Sequence, residues 1–222
     1  VVLFFRDLTA ERRLQTMRVD FIATVSHELR TPLASLAGFI DTLKGPARND
    51  AAARERFLDI MRQQADRMAR LVDDLLQLSR VELNAHVAPT NLIDVAPVVA
   101  HMIEIMGPLA AERGVTIDRL DDEAAVVVPA DRDEILRVVE NLLENAVKYG
   151  GAGERVEVGL RPSADGRWAE LSVRDWGPGI APEHLPRVTE RFYRVDAASS
   201  RQQGGTGLGL AIVKHIVGRH RG

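Results

Sequence analysis

Two long stretches of apolar side chains spaced by threes and fours, separated by one break, restrict how this chain can fold more than any other feature. In residues 11–43, Met17, Ile22, Val25, Leu29, Leu33, Leu36, Ile40 and Leu43 recur with the period of one face of an α-helix. Lys44-Gly-Pro-Ala-Arg-Asn-Asp50 ends that pattern, with Gly45 and Pro46 as breakers and Asp50 as a candidate N-cap. A second helix is predicted over 51–83, with Phe57, Ile60, Met61, Met68, Leu71, Val72, Leu75 and Leu78 on one side. Each helix is about 30 residues, roughly 45 Å, and the short turn folds the pair into a hairpin. The apolar stripes are too wide for a single partner, so the simplest cover is a second hairpin, giving a dimeric four-helix bundle.

After Ala88 and Pro89 the pattern changes. Short strand-like segments at 91–95, 115–118, 125–128, 155–160 and 168–174 alternate with helical ones at 96–113, 132–149 and 207–217, and 164–166 reads as a turn. The order lacks the β-α-β rhythm of a doubly wound sheet, so a two-layer α/β sandwich of mixed sheet is expected, and the whole chain is of the α+β class. The expected division is 1–9 as the remnant of an upstream domain or a linker, 10–86 as the helical hairpin and 87–222 as the sandwich, with the boundary near 84–91.

Composition excludes several functions. The 45% apolar content supports real cores, and 29 basic against 32 acidic residues leave a charge of -3, with no excess to neutralise a nucleic-acid backbone. With no cysteine there is no disulfide, thiolate nucleophile or Cys-ligated zinc. The apolar run at 1–5 is far below the roughly 20 residues that cross a bilayer. It reads as the last strand of something upstream. The chain opens without Met, so a membrane anchor could have been removed from it.

Five groups of residues carry candidate chemistry. His27 projects almost opposite the stripe through Ile22, Val25, Leu29, Leu33 and Leu36, and so points to solvent. An exposed histidine is by itself an ordinary surface residue. Glu28 beside it could accept the Nδ1 proton and leave Nε2 as a nucleophile, Thr31 one turn on could position a water, and Pro32 removes the donor to the Glu28 carbonyl. Asn141, Asn145 and Lys148 share one helix face, where amide oxygens could complete a Mg²⁺ shell while Lys148 meets phosphate; local hydrogen bonding is the plainer reading. Asp175-Trp-Gly-Pro-Gly179 follows a strand, with Gly177 and Gly179 allowing close backbone approach, and alone it is an ordinary turn. Gly204-Gly-Thr-Gly-Leu-Gly-Leu210 opens a helix whose N–H groups could cradle phosphates, yet it is neither a Walker A loop nor a dinucleotide fingerprint. The polar, arginine-rich connection 182–203 reads as a mobile lid or a salt-bridged surface loop.

Ser26-His-Glu-Leu-Arg-Thr-Pro-Leu33 resembles the phosphoacceptor box of bacterial sensor histidine kinases, and 145–149, 175–179 and 204–210 resemble that family's asparagine and two glycine boxes, in its order and spacing. The resemblance, which extends to a phosphate-sensor-like subgroup, implies a dimerisation and phosphotransfer hairpin followed by a sandwich of the histidine-kinase/GHKL ATPase type. It implies autophosphorylation of His27 from ATP and transfer to an aspartate of a response regulator, with Glu28 as base or orienter and Thr31 supporting phosphatase action. It makes Asn145 the leading Mg²⁺ ligand, Asn141 a phosphate-side ligand, Tyr149 a wall of the adenine pocket and Asp175 the acceptor from the adenine amine. Gly205, Gly207 and Gly209 would line the triphosphate, with Thr206 at its edge and Leu208 within the loop. Phe192 and Tyr193 would anchor the lid, and Arg191 or Arg194 would meet the γ-phosphate. Partners are then a second copy and a receiver domain, in the cytoplasmic portion of a membrane-associated sensor.

Two departures stand out. Trp176 is less polar than the small or amide residue expected there, and the chain stops at Gly222 where relatives carry a further glycine turn and a terminal β-hairpin, so that hairpin is expected to be missing. The competing readings are a nucleotide-binding or pseudokinase dimerisation scaffold without catalysis, and an ATP-hydrolysing conformational machine, in which an exposed His-Glu pair has no purpose.

Overall fold

The computed structural model describes residues 9–120, 125–150, 154–196 and 205–222. The strand expected at 1–5, the Met17 side chain and the part of the lid at 197–204 lie outside the described residues. The chain forms two compact units, Val1–Val72 and Asp73–Gly222.

The first unit is built from helices α1 (Thr9–Lys44) and α2 (Ala51–Leu83), whose last turns, from Asp73, belong to the second. The break falls where Gly45 and Pro46 were expected to place it, and Asp50 caps α2 by accepting from Ala53 N–H at 2.9 Å. Phe39 and Phe57 meet across the hairpin with ring centroids 5.2 Å apart. The α1 stripe divides in two. Pro32 is buried and Val25, Leu29 and Leu36 are half-buried, whereas Ile22 and Leu33 are exposed, together with Val19 and Ile40. One hairpin covers only one side of so wide a stripe, and at 100° per residue those four exposed side chains share a second face.

In the second unit, β1 (Leu92–Asp94) pairs antiparallel with β3 (Val127–Pro129). A separate three-stranded sheet runs β2-β4-β5 (Thr116–Arg119, Arg155–Pro162, Ala169–Asp175), parallel then antiparallel, so it is mixed as expected. On β4, Val156, Val158 and Leu160 are buried while their neighbours are not, the alternation of a sheet covered on one face. The cover is α3 (Ala96–Glu112) and α4 (Arg132–Tyr149), whose Val99, Met102, Val139, Leu143 and Val147 complete one core. Asp131 caps α4 by accepting from Asp133 and Glu134 N–H groups.

Helix α5 (Gly209–Arg219) packs on α4 through buried Ala211, Ile212 and Ile216. Its C-terminal end is tied down twice. His220 accepts the Asp131 N–H on Nε2 at 3.1 Å and lies 2.8 Å from the Ile216 carbonyl through Nδ1, which fixes the Nδ1–H tautomer. Arg219 pairs with Glu134 at 2.6 Å and donates to the Asn84 and Val87 carbonyls. The segment leaving α2 is thereby fastened to the helix that follows the glycine-rich loop.

Candidate functional site

His27 is exposed on α1, as its position opposite the stripe required. Its two companions are already engaged within the hairpin. The Thr31 hydroxyl donates to the His27 carbonyl at 3.1 Å, in the stretch of helix where Pro32 supplies no N–H. The Glu28 carboxylate accepts from Arg67 of α2 at 3.0 Å, and both side chains are largely shielded, 18% and 14% exposed. The sequence reading missed Arg67, because one arginine among the many polar residues of α2 reads as part of a solvated face. The pair orients Glu28 on the helix that presents His27.

In the second unit, four motifs that are distant in sequence meet around α4. Asn141, Asn145 and Lys148 lie half-buried along its polar face. Asn141 donates from Nδ2 to the Arg137 carbonyl at 2.8 Å, and Lys148 pairs with Glu144 at 2.8 Å. This is the local bonding that the plainer reading foresaw, and it leaves the face polar. The first turn of α5 comes so close that a Cβ on Gly209 would overlap Asn141 Oδ1. Any larger residue at 209 would have to turn the Asn141 amide aside.

At the other end of α4, a Cβ on Gly177 would lie 2.6 Å from the Tyr149 carbonyl oxygen and 2.9 Å from Gly150 Cα. Gly177 N–H donates to Asp175 Oδ1 at 2.8 Å, which locks the turn and aims the carboxylate. Tyr149 and Trp176 are each about two-fifths exposed beside it. Trp176 stacks with the guanidinium groups of Arg174 and Arg155, 4.9 and 5.6 Å from its ring centre, so it serves as an arginine-flanked surface aromatic.

The lid is fastened to the glycine-rich loop by the Phe192 N–H donating to the Gly207 carbonyl at 2.8 Å, with Phe192 and Gly207 both at positive φ. Tyr193 Oη meets His184 Nδ1 at 2.7 Å, and Arg187 lies 4.3 Å from the centre of the tyrosine ring. The two arginines differ in their partners. Arg194 donates to the Thr206 carbonyl at 2.7 Å, gripping the loop backbone, whereas Arg191 donates to the side chain of Glu82 on α2. The side chain of Leu208 is buried, so that residue offers the loop its backbone. Gly205 and Thr206 are half-buried, and Gly179 is exposed at φ +73°. Helix α5 begins with no hydrogen bond from the side chain of its N-cap Leu208, whose own N–H donates to Thr206 Oγ1 at 3.3 Å, and a helix start of this kind favours anions.

Asp74, near the end of α2, was also missed. Its carboxylate accepts from the Thr206 hydroxyl at 2.6 Å, and burial pushes its pKa above the usual range against the opposing pull of that bond and of Arg137 and Lys148. Burial likewise lowers His215 on α5, whose Nε2 lies 3.6 Å from Glu82. Among the described residues no group of three or more His, Cys, Asp or Glu side chains could hold a metal ion, and no helix is long and apolar enough to cross a membrane.

Residues 17–84 match the His Kinase A (phospho-acceptor) domain family, and residues 130–222 match the histidine kinase-, DNA gyrase B-, and HSP90-like ATPase family. The chain is 42% identical over 220 residues to the phosphate regulon sensor protein PhoR of Pseudomonas aeruginosa, covering 99% of this chain and 49% of that protein. It thus spans about half the length of that relative. Among solved structures, the Acinetobacter baumannii histidine kinase AdeS is similar at 27% identity and a TM-score of 0.61, over 86% of this chain and 85% of that one. Full-length ShkA, in complex with AMPPNP, is similar at 28% identity and a TM-score of 0.60, over 90% of this chain and 41% of that one. An exposed histidine in a phospho-acceptor hairpin, followed by a sandwich of the nucleotide-binding ATPase type, places this chain in the bacterial sensor histidine kinase family.

Proposed function

We propose that the chain transfers the γ-phosphoryl group of ATP to His27 and from there to an aspartate of a receiver domain. The observation that carries the reading is the convergence of the asparagine face of α4, the Asp175 turn and the glycine-rich loop, to which Arg194 of the lid is bonded, through close approaches at Gly177 and Gly209. That ATP is the nucleotide draws on the AMPPNP bound to the similar ShkA.

Each group then has a role that its chemistry allows. Asp175 accepts from the adenine amine and Tyr149 walls the base. Gly205, Gly207, Gly209 and the start of α5 present backbone donors to the phosphates, with Thr206 beside them. Arg194, committed to the Thr206 carbonyl, positions the loop, while Arg191, held by an exchangeable carboxylate, is the arginine that meets the γ-phosphate. Asn145 and Asn141 fit a hard cation whose other ligands are phosphate oxygens and water, because neutral amide oxygens add ligands without further charge. Mg²⁺ bound there would offset the negative charge of the phosphates.

On α1, Glu28 is the group to take the Nδ1 proton and leave the Nε2 lone pair for in-line attack, with Arg67 fixing its orientation. The N–P bond formed at His27 breaks when a receiver carboxylate attacks phosphorus. Thr31 is the candidate for a water-directed phosphatase step. The exposed face of Val19, Ile22, Leu33 and Ile40 is covered by a second copy, giving the four-helix bundle.

The test is incubation with γ-labelled ATP and Mg²⁺, followed by acid and base treatment. An acid-labile, base-stable label is expected on the wild type, and His27→Gln should carry none while still binding an ATP analogue. Stoichiometric labelling of that variant would reject His27, and absence of nucleotide binding by the wild type would leave a dimerisation scaffold.

A further inference from the structure

We propose that the acidic last turns of α2 act as an internal stand-in for phosphate, with Asp74 and Glu82 holding Thr206 and Arg191 until a nucleotide triphosphate displaces them. The inference rests on reading Thr206 and Arg191 as phosphate-side groups. Two independent contacts lead to it. Thr206, in the glycine-rich loop, donates a hydroxyl hydrogen bond to Asp74 at 2.6 Å, and Arg191, midway along the lid, donates from its guanidinium to Glu82. Asp74 and Glu82 are eight residues apart on one helix, about 12 Å along its axis, so a single rigid segment reaches both loop and lid. Between them Leu78 and Val81 are almost wholly buried, which anchors that segment within the second unit.

The chemistry of the two acids matches that of the ligand they would replace. A carboxylate and a phosphate are both sets of anionic oxygens that hydroxyl and guanidinium donors satisfy, and the single hydroxyl proton of Thr206 cannot be donated to both at once. Asp74 also lies within electrostatic reach of Arg137 and Lys148 on the polar face of α4, the cations a triphosphate would meet. Keeping both anions there would place like charges together in a half-buried cleft. Nucleotide and α2 segment therefore compete, and by linkage whatever displaces the segment raises nucleotide affinity by the same factor that nucleotide favours displacement.

The experiment uses the full chain and titrates a non-hydrolysable Mg-ATP analogue and, separately, adenosine into the wild type and Asp74→Asn/Glu82→Gln by calorimetry. A cradle open one-tenth of the time weakens apparent affinity about tenfold, so the double variant is expected to bind the analogue about tenfold more tightly while adenosine is unchanged. Equal analogue affinity in both proteins overturns the proposal. An equal gain for adenosine also overturns it, because the segment would then obstruct the base rather than mimic phosphate. If neither protein binds any nucleotide, the phosphate-side reading itself has failed and the inference falls with it. Should the double variant fold poorly, amide hydrogen exchange on the wild type decides: the analogue is expected to speed exchange in residues 73–83, and unchanged or slower exchange there overturns the proposal.

Discussion

Gly177 and Gly179 stand in one turn, yet the structure requires glycine at the two positions for different reasons. A Cβ on Gly177 would sit 2.6 Å from the Tyr149 carbonyl oxygen, 2.9 Å from Gly150 Cα and 2.9 Å from Asp175 Oδ1, and the first two obstacles are backbone atoms at the end of α4. Ordinary contact begins near 3.4 Å, so Gly177→Ala must push the turn away from α4 by the better part of an ångström. Overpacking of this kind costs about 1–3 kcal/mol, and obstacles that cannot rotate aside place it at about 2–3 kcal/mol. A Cβ on Gly179 would touch nothing within 4 Å; there the backbone is at φ +73°, and alanine costs about 1 kcal/mol. Asparagine separates the two causes, because it tolerates positive φ but is larger than alanine. Urea unfolding should rank the variants Gly177→Asn, Gly177→Ala, Gly179→Ala, Gly179→Asn from least to most stable, the last close to wild type. Both Gly177 variants should also lose affinity for an ATP analogue, since the displaced turn carries Asp175. A Gly177→Asn variant more stable than Gly177→Ala, or a Gly179→Asn variant less stable than Gly179→Ala, would refute the packing argument.

Removing Arg67 takes a charge partner from the largely shielded Glu28 carboxylate, so Arg67→Met should cost about 1–2 kcal/mol, between the surface and buried limits, and adding Glu28→Gln should recover part of it in thermal melts of the double variant. Burial raises the pKa of Asp74, so the folded state takes up a proton there before the unfolded state does, and ionised Asp74 lowers stability above that raised pKa. Asp74→Asn should therefore be more stable than wild type at pH 7. The advantage should shrink as pH falls through the raised pKa toward 3.8, which urea midpoints from pH 8 to 4 can follow; an advantage that grows on acidification would contradict the assignment. His215 works in the opposite direction: burial lowers its pKa, so stability is lost as pH falls below 6.5, and His215→Gln should flatten that loss.

Much of this was legible along the chain. The spacing of apolar residues and the Gly45-Pro46 break gave both long helices almost to the residue, because a helix face repeats locally and needs no distant partner to be recognised. Motif chemistry likewise marked Asn141, Asp175 and the loop at 205–209, since a glycine-rich helix start and amides within a helix are unusual enough to notice. The stripe of α1 was read as one surface, but its division into a face turned toward α2 and one left exposed depends on where α2 lies.

Nothing local distinguished Asp74, Glu82 or Arg67 from the many other charged residues of α2, and Arg191 could not be separated from Arg194 three positions away. Periodicity and backbone preference are encoded in neighbouring residues, so the sequence by itself determined the helices, the order of the modules and the candidate phosphoacceptor. Which charge meets which is a long-range matter, settled by packing that brings residue 74 to 206, 82 to 191 and 28 to 67. The tertiary structure alone decided which acids face the glycine-rich loop and the lid, because only folding removes water from between side chains so distant in the chain and makes their pairing energetically consequential.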